Sequence, residues 1–199
     1  MAGGETLKHT TASMNTKKAL SASLKKLMGR KRLSKITVSE IIADCGVNRK
    51  TFYYHFEDIY ALLKWTLEQE TVEVLKNFDL LVNSEEALLF VLDYVDKNLH
   101  LLNCAYDSMG RDEMKRFFHA DFYDILLHTV ERLEAEQGIT VPEDFKRYLA
   151  AFYTEALAGM LIDYFQHKDK RNRDELVRYT LLILKNSLPN TLAAEAQKQ

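Results

Sequence analysis

Glycine and proline are scarce in this chain: seven Gly and two Pro in 199 residues. That scarcity argues against loop-rich and turn-rich all-β folds, and no stretch shows convincing alternation of apolar and polar residues. Two cysteines, Cys45 and Cys104, are too few for a disulfide framework and point to a reducing, cytoplasmic setting. No apolar run approaches the roughly 18 residues of a membrane span, so no membrane partner is expected. The start, MAGGETLKHTTASMN, lacks the apolar core of a signal peptide. A Gly-rich phosphate loop, a Gly-x-Ser-x-Gly elbow and a metal-ligand spacing are all missing. Nothing in the chain asks for an enzyme, a cofactor or a metal.

What is present is helix, and the fold class expected is all-α. Helices are expected at 15–28, 37–45, 48–55, 58–79, 84–108, 112–136, 143–168 and 173–187. Pro189 should end the last one. The informative stretch is Ile36–Leu63, ITVSEIIADCGVNRKTFYYHFEDIYALL. Thr37-Val-Ser-Glu40 is a capping box, in which hydroxyl and carboxylate each satisfy the other residue's amide. Val38, Ile41, Ile42 and Cys45 then form one apolar stripe at helical spacing. Gly46 can leave the helix at positive φ, and Asn48 can cap a second helix that buries Phe52 and Phe56. Two short helices joined by such a turn make a helix-turn-helix, whose second helix enters the DNA major groove. The second helix carries Arg49 and Lys50 in its first turn, where the helix dipole disfavours cations. Thr51, Tyr53, Tyr54 and His55 supply hydrogen-bond donors for phosphate or base edges.

Charge supports a nucleic-acid partner over a bland helical hairpin. Residues 1–56 hold eleven Lys/Arg against three Asp/Glu, a balance of +8, while residues 57–199 hold 16 against 26, a balance of −10. The overall −2 therefore hides a basic head on an acidic body, the electrostatic footprint of a polyanion binder.

The run at 36–63 resembles the DNA-binding head of the tetracycline-repressor (TetR) family of bacterial regulators. The elements that carry it are Ile36-Thr37-Val38, Ile41 with Ala43, Gly46-Val47, Thr51-Phe52-Tyr53-Tyr54-His55-Phe56 and Leu62-Leu63. In outline the body is similar to the dihydroxyacetone-kinase-regulator branch. The resemblance implies that Thr37, Thr51, Tyr53 and His55 hold phosphates, and that Ser39, Arg49, Lys50 and Tyr54 face bases. Asn48 completes the set of DNA-binding positions. One departure matters: where the family usually has Lys three residues after the closing Phe, this chain has Ile59, preceded by Glu57 and Asp58. Affinity is then expected to lean on Lys31, Arg32 and Lys35.

Four segments follow: a disordered arm at 1–14, a three-helix helix-turn-helix domain at 15–60, a helical effector-binding and dimerisation bundle at 61–188, and a frayed tail at 189–199. At 145–165, Phe145, Tyr148, Leu149, Phe152, Ala156, Met160 and Tyr164 make one apolar face, and Ala151, Thr154, Ala158 and Ile162 a second. With the apolar YTLLIL of 179–184, these suggest a homodimer through 145–187 reading a palindromic operator on double-stranded DNA. Aromatic and polar-tipped residues between Phe90 and His128 read either as packing or as the wall of a small-molecule effector pocket. His119, Asp121, Asp124 and His128 lack a zinc-like spacing, and the basic run Lys168–Arg173 reads as a solvated turn. The function expected is a dimeric sequence-specific regulator, a repressor that an effector releases. The alternative is a helix-turn-helix coactivator or adaptor controlled by a protein partner.

Overall fold

The computed structural model describes residues 3–72, 80 and 82–198. Among these residues the secondary structure is entirely helical: α1 (Gly3–Met28), α2 (Val38–Cys45), α3 (Arg49–His55), α4 (Ile59–Leu67), α5 (Ser84–Lys97), α6 (Leu99–Met109), α7 (Arg111–Gln137), α8 (Glu143–Gln166) and α9 (Arg173–Ala196). The chain forms two compact units, one of residues 1–70 with 100–108 and the other of 71–99 with 109–199.

In the first unit, α1 packs on α2 and α4. Leu20, Leu24 and Met28 lie four residues apart along one face of α1, and with Ile41, Phe52, Leu62 and Leu63 they are fully buried. The polar groups taken into this core are matched. Ser23 donates to the Ile41 carbonyl at 3.1 Å, and Thr66 donates to Ser21 Oγ at 2.9 Å.

The second unit is built on the antiparallel pair α7 and α8, with α9 against α5 and α7. Gly138 ends α7 with φ of +63°, the left-handed conformation that a side chain disfavours. The turn is held by Glu134, which accepts from the Val141 amide at 2.9 Å and from Lys146 at 2.8 Å. Lys146 pulls the Glu134 carboxyl below its usual range, and the Val141 amide adds to this. A second polar knot joins three helix ends: Asp96 of α5 accepts from Tyr164 of α8 at 3.0 Å and from Arg173 of α9 at 2.9 Å, with Lys168 at 2.7 Å. Burial, then the hydrogen bond to Asp96, pushes the Tyr164 phenol up to about 12.

Several sequence expectations need correction. Helix α1 runs through residues 3–14, where a disordered arm was expected. The helix expected over 84–108 breaks at Asn98, whose side chain donates to the Tyr94 carbonyl at 3.0 Å and competes with the backbone ladder. Pro189 does not end α9, which continues to Ala196 through the expected frayed tail. Leu188 and Leu192 are buried on either side of it, and the Gln137 side chain donates to the Pro189 carbonyl at 3.3 Å. Packing outweighs the lost amide. After Leu67, α4 passes into a π turn at Glu68–Val72; residues 73–79 of the expected linking helix lie outside the described residues. The Lys168–Arg173 run is tied down as well as solvated, since Lys168 and Arg173 bind Asp96, Arg171 binds Asp163 and Arg173 also binds Asp93. Among the described residues no helix is long and apolar enough to cross a membrane.

Candidate nucleic-acid interface

Helix α2 starts as its capping box dictates: the Glu40 amide donates to Thr37 Oγ1 at 3.3 Å, and the Thr37 amide donates to Glu40 Oε2 at 2.9 Å. Glu40 also pairs with Lys31. The Lys31 and Thr37 hydrogen bonds together hold the Glu40 carboxyl down at about 2. Gly46 closes α2 at φ +70°. Asn48 Oδ1 then accepts from the Thr51 amide at 2.8 Å, which starts α3. Asp58 does the same for α4 through the Ala61 amide at 2.7 Å. The starts of α2, α3 and α4 are each set by a local side-chain cap.

Within α3, Phe52 is fully buried and Phe56 caps the helix in the core. This orientation turns Arg49, Lys50, Tyr53 and Tyr54 outward. Tyr54 is 71% exposed; Lys50 and Tyr54 lie four residues apart and share a face. Tyr53 rests edge-on against Phe52, with ring centroids 5.3 Å apart. Arg49 donates to Ser39 Oγ at 2.7 Å, so one hydrogen bond joins the exposed sides of α2 and α3. Thr37 and Thr51 behave differently. Their hydroxyls donate inward, to Glu40 at 2.8 Å and to Asn48 at 3.0 Å, and the Asn48 oxygen is taken up by the cap. His55 is half-buried beside Phe56, and burial, then the nearby Lys17 charge, lowers its pKa.

Two features of this surface escaped the sequence reading. Lys17 sits 5.8 Å from the ring centres of both Phe56 and Trp65. Lys31, expected to serve DNA, is engaged by Glu40, while Lys26 is engaged by Asp44 and Lys25 by Glu70. No local pattern reveals pairs separated by 9, 18 and 45 positions. Arg32 and Lys35 make no ion pair among the described residues. Ile59 is half-buried in the first turn of α4. Cys45, expected in the core, is half-buried and donates to the Ile41 carbonyl at 3.1 Å.

The second unit holds a cavity of about 290 Å³ lined from α5, α7, α8 and α9. Of the aromatic set expected to enclose an effector, Phe122 reaches it, whereas Met114, Phe117 and Phe118 are buried core. His100 and Cys104 instead belong to the first unit. Two wall residues, Ser84 and Thr180, have buried hydroxyls without a hydrogen-bond partner among the described residues. Such a group costs about 1–3 kcal/mol until it is satisfied. Among the described residues no three His, Cys, Asp or Glu gather as a metal site.

A basic head whose capped second helix presents Arg, Lys and Tyr to solvent defines a helix-turn-helix DNA-binding protein. The sequence pattern of "Bacterial regulatory proteins, tetR family" matches residues 22–64, and that of "Transcriptional regulator C-terminal region" matches residues 82–186, more than half the chain. The protein belongs to the tetR family of bacterial transcriptional regulators, which are not enzymes. It is 30% identical over 86 residues to the HTH-type dhaKLM operon transcriptional activator DhaS of Lactococcus lactis subsp. lactis (strain IL1403), a match spanning 43% of this chain and 46% of that relative. A solved structure described as the dihydroxyacetone kinase operon activator DhaS shares the fold. Its TM-score is 0.59 at 20% identity, over 92% of this chain and 97% of that one.

Proposed function

We propose that the protein is a cytoplasmic homodimer that reads a palindromic operator and changes its occupancy when a small molecule enters the cavity of the second unit. The observation that carries the reading is the outward face of α3, where Arg49, Lys50 and Tyr54 stand exposed above a buried Phe52. Arg49 and Lys50 suit guanine O6 and N7, and Tyr54 suits a thymine methyl. Ser39 positions Arg49, Asn48 holds the helix start, and Thr37, Thr51, Tyr53 and His55 border the phosphates. Thr37 and Thr51 serve there after their hydroxyl protons turn outward from Glu40 and Asn48. The dimer runs through 145–187, where Tyr148 and Phe152 on α8 and Tyr179, Leu182 and Ile183 on α9 are exposed apolar residues.

Selection of sites from a random duplex library by the apo protein tests this reading. A palindrome should emerge, and Arg49→Ala should weaken its half-site by about 1–3 kcal/mol while relaxing one base position. Equal weakening on all sequences would show that Arg49 reads no base.

The phosphate role of His55 predicts a pH dependence. Its pKa is lowered in the free protein, and a phosphate beside the ring raises it in the complex. Binding then takes up a proton, so affinity grows as pH falls from about 8 towards 6, by at most tenfold per pH unit per head. His55→Gln should remove that part of the slope, and identical slopes for both proteins would exclude the contact.

The sign of regulation has two readings. Ligand-driven release makes a repressor, the role expected from sequence. The relatives described as operator activators favour activation instead. A reporter placed beside the selected operator separates them, since deleting the regulator raises expression in the first case and lowers it in the second.

A further inference from the structure

A helical threonine or serine hydroxyl with no other partner commonly turns back onto the carbonyl four residues earlier. Thr129 and Thr154 both do so here at 2.8 Å. Thr180 does not. Its hydroxyl on α9 is buried and unpartnered among the described residues, as is that of Ser84 at the start of α5. The two residues are 4% and 8% exposed, and both belong to the wall of the 290 Å³ cavity. Hydrocarbon makes up most of the remaining wall, including Leu88, Leu92, Leu126, Leu157, Leu161 and Leu184. Among the described residues, charge in the lining is confined to Glu136 and Lys185, which are exposed.

We infer that the cavity takes a neutral, compact, largely hydrocarbon molecule bearing a hydrogen-bond acceptor such as a ketone, ether or ester oxygen. Ser84 and Thr180 reach that oxygen by rotation about their Cα–Cβ bonds, which relieves two buried donors at once. The inference rests on the proposed role of the cavity as the effector site and adds the class of ligand. An anion is disfavoured because, among the described residues, the lining offers no buried cation to offset its lost hydration. A small polyol is disfavoured because most of the wall is hydrocarbon and the Thr129 hydroxyl is already bound to the Ile125 carbonyl. In size the cavity lies between the roughly 150 Å³ that holds benzene and the about 300–1,000 Å³ of drug-sized sites. The ligand is therefore a single substituted ring or a short branched chain.

Acetophenone, cumene and benzoate are near-isosteric probes that differ in this chemistry. With the full-length protein, acetophenone should raise the melting temperature and bind roughly tenfold more tightly than cumene, while benzoate should leave melting unchanged. Thr180→Val keeps the side-chain shape without the hydroxyl, so it should reduce the preference for acetophenone and retain cumene binding. Leu157→Trp fills the cavity and should abolish both. The inference is overturned if acetophenone gives no shift, if cumene or benzoate binds as well, or if the preference survives in both Thr180→Val and Ser84→Ala. Operator binding by the same preparation keeps the two readings apart. Protein that binds operator but not acetophenone refutes the ligand class alone, and protein that binds acetophenone but no operator refutes the regulator reading alone.

Discussion

Replacing Phe52 with Ala should lower the stability reported by Trp65 by about 3–5 kcal/mol, the usual cost of emptying a buried aromatic site. Phe52 is fully buried, with Tyr53 edge-on at 5.3 Å and Phe56 at 6.2 Å between ring centroids. It is the residue that fixes which side of α3 faces out. Trp65, the single tryptophan, lies 5.8 Å from Phe56 in the same unit and so reports on that packing. Denaturation followed by Trp65 fluorescence should show the transition at much lower denaturant, and specific DNA binding should disappear with it. The control is the neighbour two positions on. Tyr54→Ala removes a ring that is 71% exposed, so stability should change by no more than about 0.5 kcal/mol while operator selection is lost. If Phe52→Ala left the Trp65 transition in place, this account of the head would be wrong.

Placing Asp at both Leu182 and Ile183 should raise the dimer dissociation constant on the order of 100-fold or more, because like charges then face each other across a twofold axis. The two side chains are 59% and 53% exposed in the single chain, an unusual position for two adjacent branched apolar residues on a helix whose other side holds Val177, Leu181 and Leu188 in the core. Light scattering at micromolar concentration should give twice the 23.1 kDa chain mass for the unmodified protein and a single chain mass for the variant. Operator affinity should fall with it, since a twofold dimer sets its two recognition helices about 34–36 Å apart, one DNA turn. The substitutions lie outside the core, so the helical content of the variant should be unchanged. A single chain mass for the unmodified protein would end the dimer proposal.

The missing lysine at Ile59 has a physical consequence beyond one lost contact. Asp58 caps α4 through the Ala61 amide, so the helix survives, but the position bears no cation. Lys31 does not replace it freely, because Glu40 holds it while also closing the capping box. Arg30, Arg32 and Lys35, in the short segment between α1 and α2, are the basic residues of that region without an ion pair among the described residues.

The head was legible in the sequence to the level of individual hydrogen bonds. The capping box at Thr37 and Glu40, the left-handed Gly46 and the cap at Asn48 are interactions within three or four residues, so their pattern is written locally. The all-helical class and the membership of the tetR family were legible for the same reason. Elsewhere the pattern was ambiguous. The expected face of Phe145, Tyr148, Leu149, Phe152, Ala156, Met160 and Tyr164 is divided in the structure: Leu149 and Tyr164 are core, while Tyr148, Phe152 and Ala156 face outward. On a helix that is apolar on two sides, hydrophobicity alone cannot say which side the chain itself covers.

By itself the sequence determined where α2 and α3 begin and end, which way Phe52 and Phe56 point, and that a basic head is joined to an acidic body. Local caps and turn chemistry settle these within a few residues. Only the tertiary structure decided that Lys31 is spent on Glu40, that α9 runs on past Pro189, and that Ser84 and Thr180 share the wall of one cavity. Those outcomes depend on groups up to about a hundred positions apart, and burial in a common core, rather than local propensity, brings them together.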